Sequence, residues 1–223
     1  MIVKPDVTYA VGDVHGCSQK LNLLLDRCIQ DCGGRTKHIV FLGDYIDRGP
    51  DSRGVVQTLI EAQRCYPNQL ICLRGNHEAI MLDAARTGDH RLWFNNGGRQ
   101  TLTSYGVRSA ADLPAHHLQW IASLPLFHDD NRRFFVHAGV DPARPLASQR
   151  EEDLLWIREP FLSNEQEYGR LIVHGHTPVP TQKPDLRKWR LNLDTGAAYG
   201  GPLTAAAFTD EQTGPSGFLN DLQ

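Results

Sequence analysis

The chain has 223 residues, 40% hydrophobic and 22% charged, with a formal net charge of -3 and a pI near 6.3. These are the proportions of an ordinary globular protein with a substantial buried core, and the acidic balance argues against a general nucleic-acid binder, which carries a basic face. No segment approaches the roughly 18 apolar residues of a membrane span, and the opening "MIVKPDVTYAVGDVHG" lacks the apolar stretch and cleavage site of a signal peptide.

Strand, polar tip and helix alternate from the start. "VTYAV" predicts a strand running into "GDVHG", after which Ser18 caps a helix with Leu21, Leu24, Leu25 and Ile29 at the 3.6 period. "HIVFL" runs into "GDYIDRG", and Asp51 after Pro50 opens a helix carrying Val55, Val56, Leu59 and Ile60. "QLICL" runs into "RGNHE", with a helix from about Ala79. This alternation predicts an α/β fold, a parallel sheet with crossover helices. Ligands sit beyond the carboxyl ends of such strands, so the three tips share one rim.

Residues 83 to about 125 read as mostly helical, broken at "NNGG" (95–98) and restarting at Pro114. "PLFHDDNRRFFVHAG" predicts a hairpin turning at Asp129 to Arg132 and ending in a fourth tip. "RLIVHGHTP" supplies a fifth strand and tip, and "WRLNLDTG" and "LTAAAF" two more strands. Arg187, Lys188 and Arg190 are read in a solvated loop entering a strand, and the polar tail from Thr209 as frayed. Without repeat, low-complexity tract or linker, one domain over 1–223 is the economical reading. The cysteines at 17, 28, 32, 65 and 72, an odd number without a secretory signal, read as free thiols in a reducing cytoplasm. Cys28 and Cys32 alone lack the partners of a metal site and are taken as small core residues, as is Cys17.

The tips collect Asp13 and His15; Asp44, Asp47 and Arg48; Arg74, Asn76 and His77; His137; and His174 and His176. Asp13 and His15, two apart in extended backbone, leave on the same side, and the two oxygens of Asp44 could bridge two cations. Oxygen and nitrogen donors without thiolate suit manganese, iron or zinc. Two such ions about 3.5–4 Å apart make a site for in-line hydrolysis of phosphate esters. Guanidinium forks at Arg48 and Arg74 match phosphate oxygens two at a time.

"GDVHG", "GDYIDRG", "RGNHE", "HAG" and "GHT" resemble, in order and spacing, the metal-dependent phosphoprotein phosphatases, specifically their compact bacterial and bacteriophage serine/threonine members, over about residues 8 to 205. The resemblance implies a metallophosphoesterase sandwich, two mixed β-sheets face to face with helices outside and the site on the rim. It implies one metal on Asp13, His15 and Asp44, and a second on Asp44, Asn76, His137 and His176. A metal-bridging hydroxide would attack phosphorus and His77 would protonate the leaving serine or threonine oxygen. Asp47 would orient His77 and favour its imidazolium. Arg48, Arg74 and Arg158 of "LLWIREP" resemble the phosphate clamp. The implied cofactors are two divalent ions, Mn²⁺ first and Fe or Zn as alternatives. The implied partner is a phosphoprotein, with no nucleic acid and no membrane.

Blander roles compete at several positions. His174 could replace His176 as ligand, but the Gly-His motif favours His176. His38, His90, His116, His117 and His128 match no motif and are read as surface or core. Trp93 and Trp120 are read as core or groove wall, and Asp194 as a support of the site or a strand-end cap. Many metallophosphoesterases carry Gly-His-x-His, where this chain has Pro178. Symmetrical diadenosine tetraphosphate hydrolases share most motifs but resemble "GDxVARG" and "GNHD", where this chain has Asp47 and Glu78. That difference favours a protein phosphatase. A catalytically dead phosphoprotein-binding module would show a lost ligand, whereas all six metal positions are present.

Overall fold

Apolar runs ending in polar tips set the frame of the computed structural model, which describes residues 5–222. The opening stretch read for a leader falls partly outside those residues, as does Gln223. β1 (Val7–Val11), α1 (Ser18–Cys32), β2 (Lys37–Phe41), α2 (Ser52–Cys65) and β3 (Leu70–Cys72) form two successive strand–helix–strand units, with β1, β2 and β3 parallel. α3 (Asn76–Thr87) follows, then α4 (Arg91–Asn95), α5 (Gly98–Tyr105) and α6 (Ala115–Ser123). The break at 95–98 and the start after Pro114 fall where the sequence places them. A hairpin of β4 (Phe127–Asp129) and β5 (Arg133–Val136) leads to α7 (Glu151–Trp156) and β6 (Leu171–His174). β7 (Asp185–Leu186), β8 (Arg190–Asn192), β9 (Thr204–Phe208) and β10 (Gly217–Asn220) complete the chain.

Two five-stranded mixed sheets result, in the orders β10-β9-β1-β2-β3 and β4-β5-β6-β8-β7. The strand period of two sorts their side chains into layers. In β1, Val7, Tyr9 and Val11 pack under α1 and α2, while Ala10 joins Val40, Leu73, Phe135, Val173 and Phe208 between the sheets. In β5, Phe134 and Val136 turn outward to Leu154 of α7 and to Phe161, and Phe135 turns inward. The architecture is the expected helix-flanked sandwich.

Four local expectations change. α1 buries Leu21, Leu24, Cys28 and Cys32, which makes the cysteine pair core and leaves Ile29 51% exposed. α3 begins at Asn76, inside the tip, because Glu78 reaches back to accept from Gly75 N at 2.9 Å and caps the helix there. The tail does not fray: Gly217–Asn220 pairs antiparallel with Thr204–Ala207. Its approach is held by the buried Arg133 guanidinium, which donates to the carbonyls of Thr209, Gln212 and Thr213. Nor is Arg190 solvated. It opens β8, buried, and donates to Asp185 and to the Leu162 carbonyl, whereas Arg187 and Lys188 are exposed as expected.

Candidate active site

The tips converge at the carboxyl ends of β1, β2, β3, β5 and β6, in strained backbone. Among the described residues, eight non-glycine positions have positive φ, and five of them are His15, Asp44, Asp47, Arg48 and His176. Such conformations cost of order 1–3 kcal/mol each and persist only where neighbours over-determine them. Buried Glu78 is the main restraint: its carboxylate accepts from the backbone N–H of Asp44 (2.8 Å), Tyr45 (2.8 Å) and Gly75 (2.9 Å). The Asp13 carboxylate likewise accepts from His176 N at 3.1 and 3.2 Å. Two glycines make room for this. A Cβ on Gly75 would lie 2.1 Å from Asp44 Oδ1, and one on Gly175 2.0 Å from Asp13 Oδ1.

The inward-facing atoms are lone pairs. His15 Nδ1 sits 2.9 Å from the Ile46 carbonyl and His137 Nδ1 2.9 Å from that of Leu42. A carbonyl only accepts, so both Nδ1 atoms carry hydrogen and both Nε2 atoms face inward bare. His15 Nε2 lies 3.4 Å from Asp44 Oδ2, and His137 Nε2 3.4 Å from Asp44 Oδ1. Asn76 Oδ1 is 2.8 Å from His137 Nε2 and 2.9 Å from His176 Nδ1. Burial pushes the His15 and His137 imidazoles well down and His176 down to about 3. Burial, with Asp194 beside one and Glu78 beside the other, lifts the Asp13 and Asp44 carboxyls well above the usual range. So many lone pairs packed together, with Arg48 the one donor against His15 Nε2, are stabilised by cations. Asp44 belongs to two such groups, one with Asp13 and His137 and one with His15 and His77, each with its ligand atoms within 4.8 Å of one another. The donor chemistry fits two divalent ions sharing Asp44.

His77 stands beside this cluster, its Nδ1 2.7 Å from Asp47 Oδ2 and its Nε2 3.8 Å from Asp44 Oδ2. Burial lifts Asp47 to about 7 and depresses His77 to about 3, with the Arg48 charge adding to the second effect. The dry setting therefore works against the ion pair that an imidazolium would require. Asp47 also receives the Trp93 Nε1–H at 2.9 Å and the Thr101 hydroxyl at 2.6 Å. Trp93 is core, as read from the sequence, but its role as a donor to Asp47 was not visible there. Neither was Thr101. Both sit about fifty positions downstream of Asp47, on α4 and α5, and no local pattern links them.

The arginines separate. Arg48 Nη1 contacts His15 Nε2, and its guanidinium lies 5.4 Å from the Tyr199 ring centre. Arg74 is turned to the rim's edge, donating to the carbonyls of Ala122 (3.4 Å) and Leu124 (3.2 Å) and pairing with Glu151 at 3.3 Å. Arg158 is exposed, with its charge acting on His176 and Asp194. His174 stays out of the cluster, buried edge-on to Phe161. Asp194 does both things foreseen for it: Oδ1 accepts from Gly196 N at 3.1 Å, and its charge acts on Asp13. His117 is buried between the Tyr105 hydroxyl and Gln57, far from this chemistry in role.

Comparison with known proteins places this geometry. Residues 7–204 match the family model for calcineurin-like phosphoesterases. The chain is 33% identical over 207 residues to serine/threonine-protein phosphatase 1 of Salmonella typhimurium strain LT2, covering 89% of this chain and 90% of that protein. It is 25% identical over 238 residues to the asymmetrical bis(5'-nucleosyl)-tetraphosphatase PrpE of Bacillus thuringiensis strain Al Hakam, covering 91% of each. A crystal structure of a candidate diadenosine tetraphosphatase superposes with a TM-score of 0.73 at 23% identity, covering 96% of this chain and 92% of that one. With the matched segment spanning all five tips, the chain belongs to the calcineurin-like metallophosphoesterases, a family built around a dinuclear metal centre.

Proposed function

We propose that the chain is a phosphomonoesterase that removes phosphate from phosphoserine and phosphothreonine on proteins. Asp13, His15 and Asp44 would hold one ion, and Asp44, Asn76, His137 and His176 the other, with Mn²⁺ the first expectation and Fe or Zn the alternatives. When bound, the pair supplies a Lewis acid for the phosphoryl oxygens and lowers the pKa of the attacking water. Arg48, Arg74 and Arg158 bind and orient the phosphate, which asks Arg74 to leave the Glu151 carboxylate.

The observation that carries this reading is the buried Asp47–His77 pair, 2.7 Å apart. With its proton on Asp47 and Nδ1 accepting, His77 keeps a hydrogen on Nε2, the nitrogen facing the cluster. Nε2 delivers that proton to the leaving oxygen while Asp47 returns one to Nδ1, and the resulting carboxylate is met by Trp93 and Thr101. A serine or threonine alkoxide is a poor leaving group and needs this service; a phosphoanhydride leaves without it. The Salmonella relative supports the same substrate class.

The second reading, a dinucleoside tetraphosphatase, is supported by the Bacillus relative and the superposing crystal structure. Steady-state kinetics on metal-loaded protein separates the two. Phosphoserine and phosphothreonine peptides are expected to be hydrolysed efficiently and diadenosine tetraphosphate poorly. A kcat/KM for the dinucleotide tenfold above the best phosphopeptide, about 1.4 kcal/mol in transition-state binding, would transfer the assignment and leave the metal site standing. The free thiols of all five cysteines agree with a cytoplasmic setting, and among the described residues no helix is long and apolar enough to cross a membrane.

A further inference from the structure

A cleft that the phosphatase reading does not use lies at the amino ends of β5, β6 and β8, opposite the catalytic rim. The residues immediately before those strands are Arg132, Arg170 and Trp189, and they line a cavity of about 490 Å³ together with Arg187, Lys188 and Leu186. Two further cavities, of about 530 and 320 Å³, adjoin it, one sharing Asn131 and Arg132 and the other Arg187, Lys188 and Trp189. Adjoining cavities of this kind offer more room than a compact ligand needs.

Its charge is local and unusual for a chain of net charge -3. Four cations line the central cavity against one acid, Glu167. Asp129 and Asp185 neutralise Arg170 and Arg187 (3.0 and 2.7 Å), but Arg132 and Lys188 have no ion pair among the described residues. Arg132 also lies close enough for its charge to help depress neighbouring Arg133. Lys188 Nζ covers one face of the Trp189 ring at 5.1 Å, which leaves a nucleobase at most the other face for stacking. β7, the outer strand of its sheet, exposes a backbone edge beside half-exposed Leu186, and an extended polypeptide can pair with such an edge.

We infer that this cleft docks an extended acidic stretch of polypeptide, with Arg132 and Lys188 meeting its carboxylates and the β7 edge its backbone. The docking adds to the phosphatase reading without resting on it, since it requires no phosphate. The experiment is fluorescence anisotropy with the full-length protein and a fluorescein-labelled twelve-residue Glu/Ser peptide lacking phosphate, with a labelled oligothymidylate of equal length as competitor class. Saturable peptide binding that weakens with salt is expected, tighter than oligothymidylate binding. Arg132→Glu/Lys188→Glu should weaken it at least tenfold while turnover of p-nitrophenyl phosphate stays unchanged, which also reports that the variant is folded. If that variant loses turnover, Lys188→Ala is read instead, with a threefold loss expected. Absence of saturable binding, tighter binding of the oligonucleotide, or a smaller loss in the folded variant overturns the inference. None of these results bears on whether phosphoserine is hydrolysed at the opposite rim.

Discussion

His77 shows how much one side chain depends on what surrounds it. Its Nδ1 is bound to Asp47, and Asp47 is bound to Trp93 and Thr101, so the proton-transfer machinery is four residues deep. A positioned general acid is worth about 10²–10⁴ in rate, most of it on poor leaving groups. His77→Asn should therefore retain its metals and lose turnover on a phosphoserine peptide by about that factor, with a much smaller loss on p-nitrophenyl phosphate. An equal, small loss on both esters would show that another group protonates the leaving oxygen. Trp93→Phe preserves most of the ring volume but removes the donor to Asp47. A hydrogen bond to a charged group is worth about 1.5–3 kcal/mol, so kcat on the peptide should fall roughly 10- to 100-fold, with KM little changed and the alkaline limb of the pH–rate profile displaced upward, since the Trp93 N–H lowers the Asp47 pKa. A profile identical to the parent's would remove Trp93 from the proton path.

At the scale of elements, polar residues between apolar ones lock the helices and strands in place. His117 on α6 bridges the Tyr105 hydroxyl on α5 and Gln57 on α2 (2.8 and 3.0 Å). Burial pushes its imidazole down to about 4, with the neighbouring His116 charge adding to the effect. A histidine with a depressed folded pKa binds its proton more tightly when unfolded, so the folded state loses stability as pH falls from about 6.5 toward 4 and is unaffected above that window. The urea midpoint should drop across that range, and His117→Gln should flatten the drop; an unchanged slope would place the acid sensitivity elsewhere. Arg133 is the corresponding device for the last strand. Cutting the chain before Thr209 strips the buried guanidinium of three carbonyl partners and bares the edge of β9. The Asp130 ion pair at 3.0 Å remains, but a lost hydrogen bond to a charged group costs about 1.5–3 kcal/mol, and chemical unfolding of the truncated protein should show a loss of at least that order.

For the whole molecule, the two sheets act as one scaffold that gathers five strand ends around Asp44. Chelated protein should be inactive, Mn²⁺ should restore turnover, and metal analysis should approach two ions per chain, with Asp13→Asn or His176→Asn losing at least one. Full turnover without bound metal would overturn the functional reading. What the sequence determined by itself was periodic or local. Runs such as "HIVFL" and "RLIVHG" end in polar tips, and the sorting of β1 and β5 side chains into alternate layers follows from side-chain alternation alone. The residues of the candidate cluster were legible because each sits in a short glycine-containing motif at a strand end. Tertiary structure decided the remainder. Glu78 became the staple of the Asp44 loop, and Trp93 and Thr101 became partners of Asp47, through contacts across 34 to 54 positions of chain. Thr209 onward became ordered because a buried guanidinium needed its carbonyls, and Arg74 turned toward Glu151 because α7 brought a carboxylate within 3.3 Å. Hydrogen bonds and ion pairs of this kind depend on distances that the packing of layers creates, and a linear pattern of side chains carries no record of them.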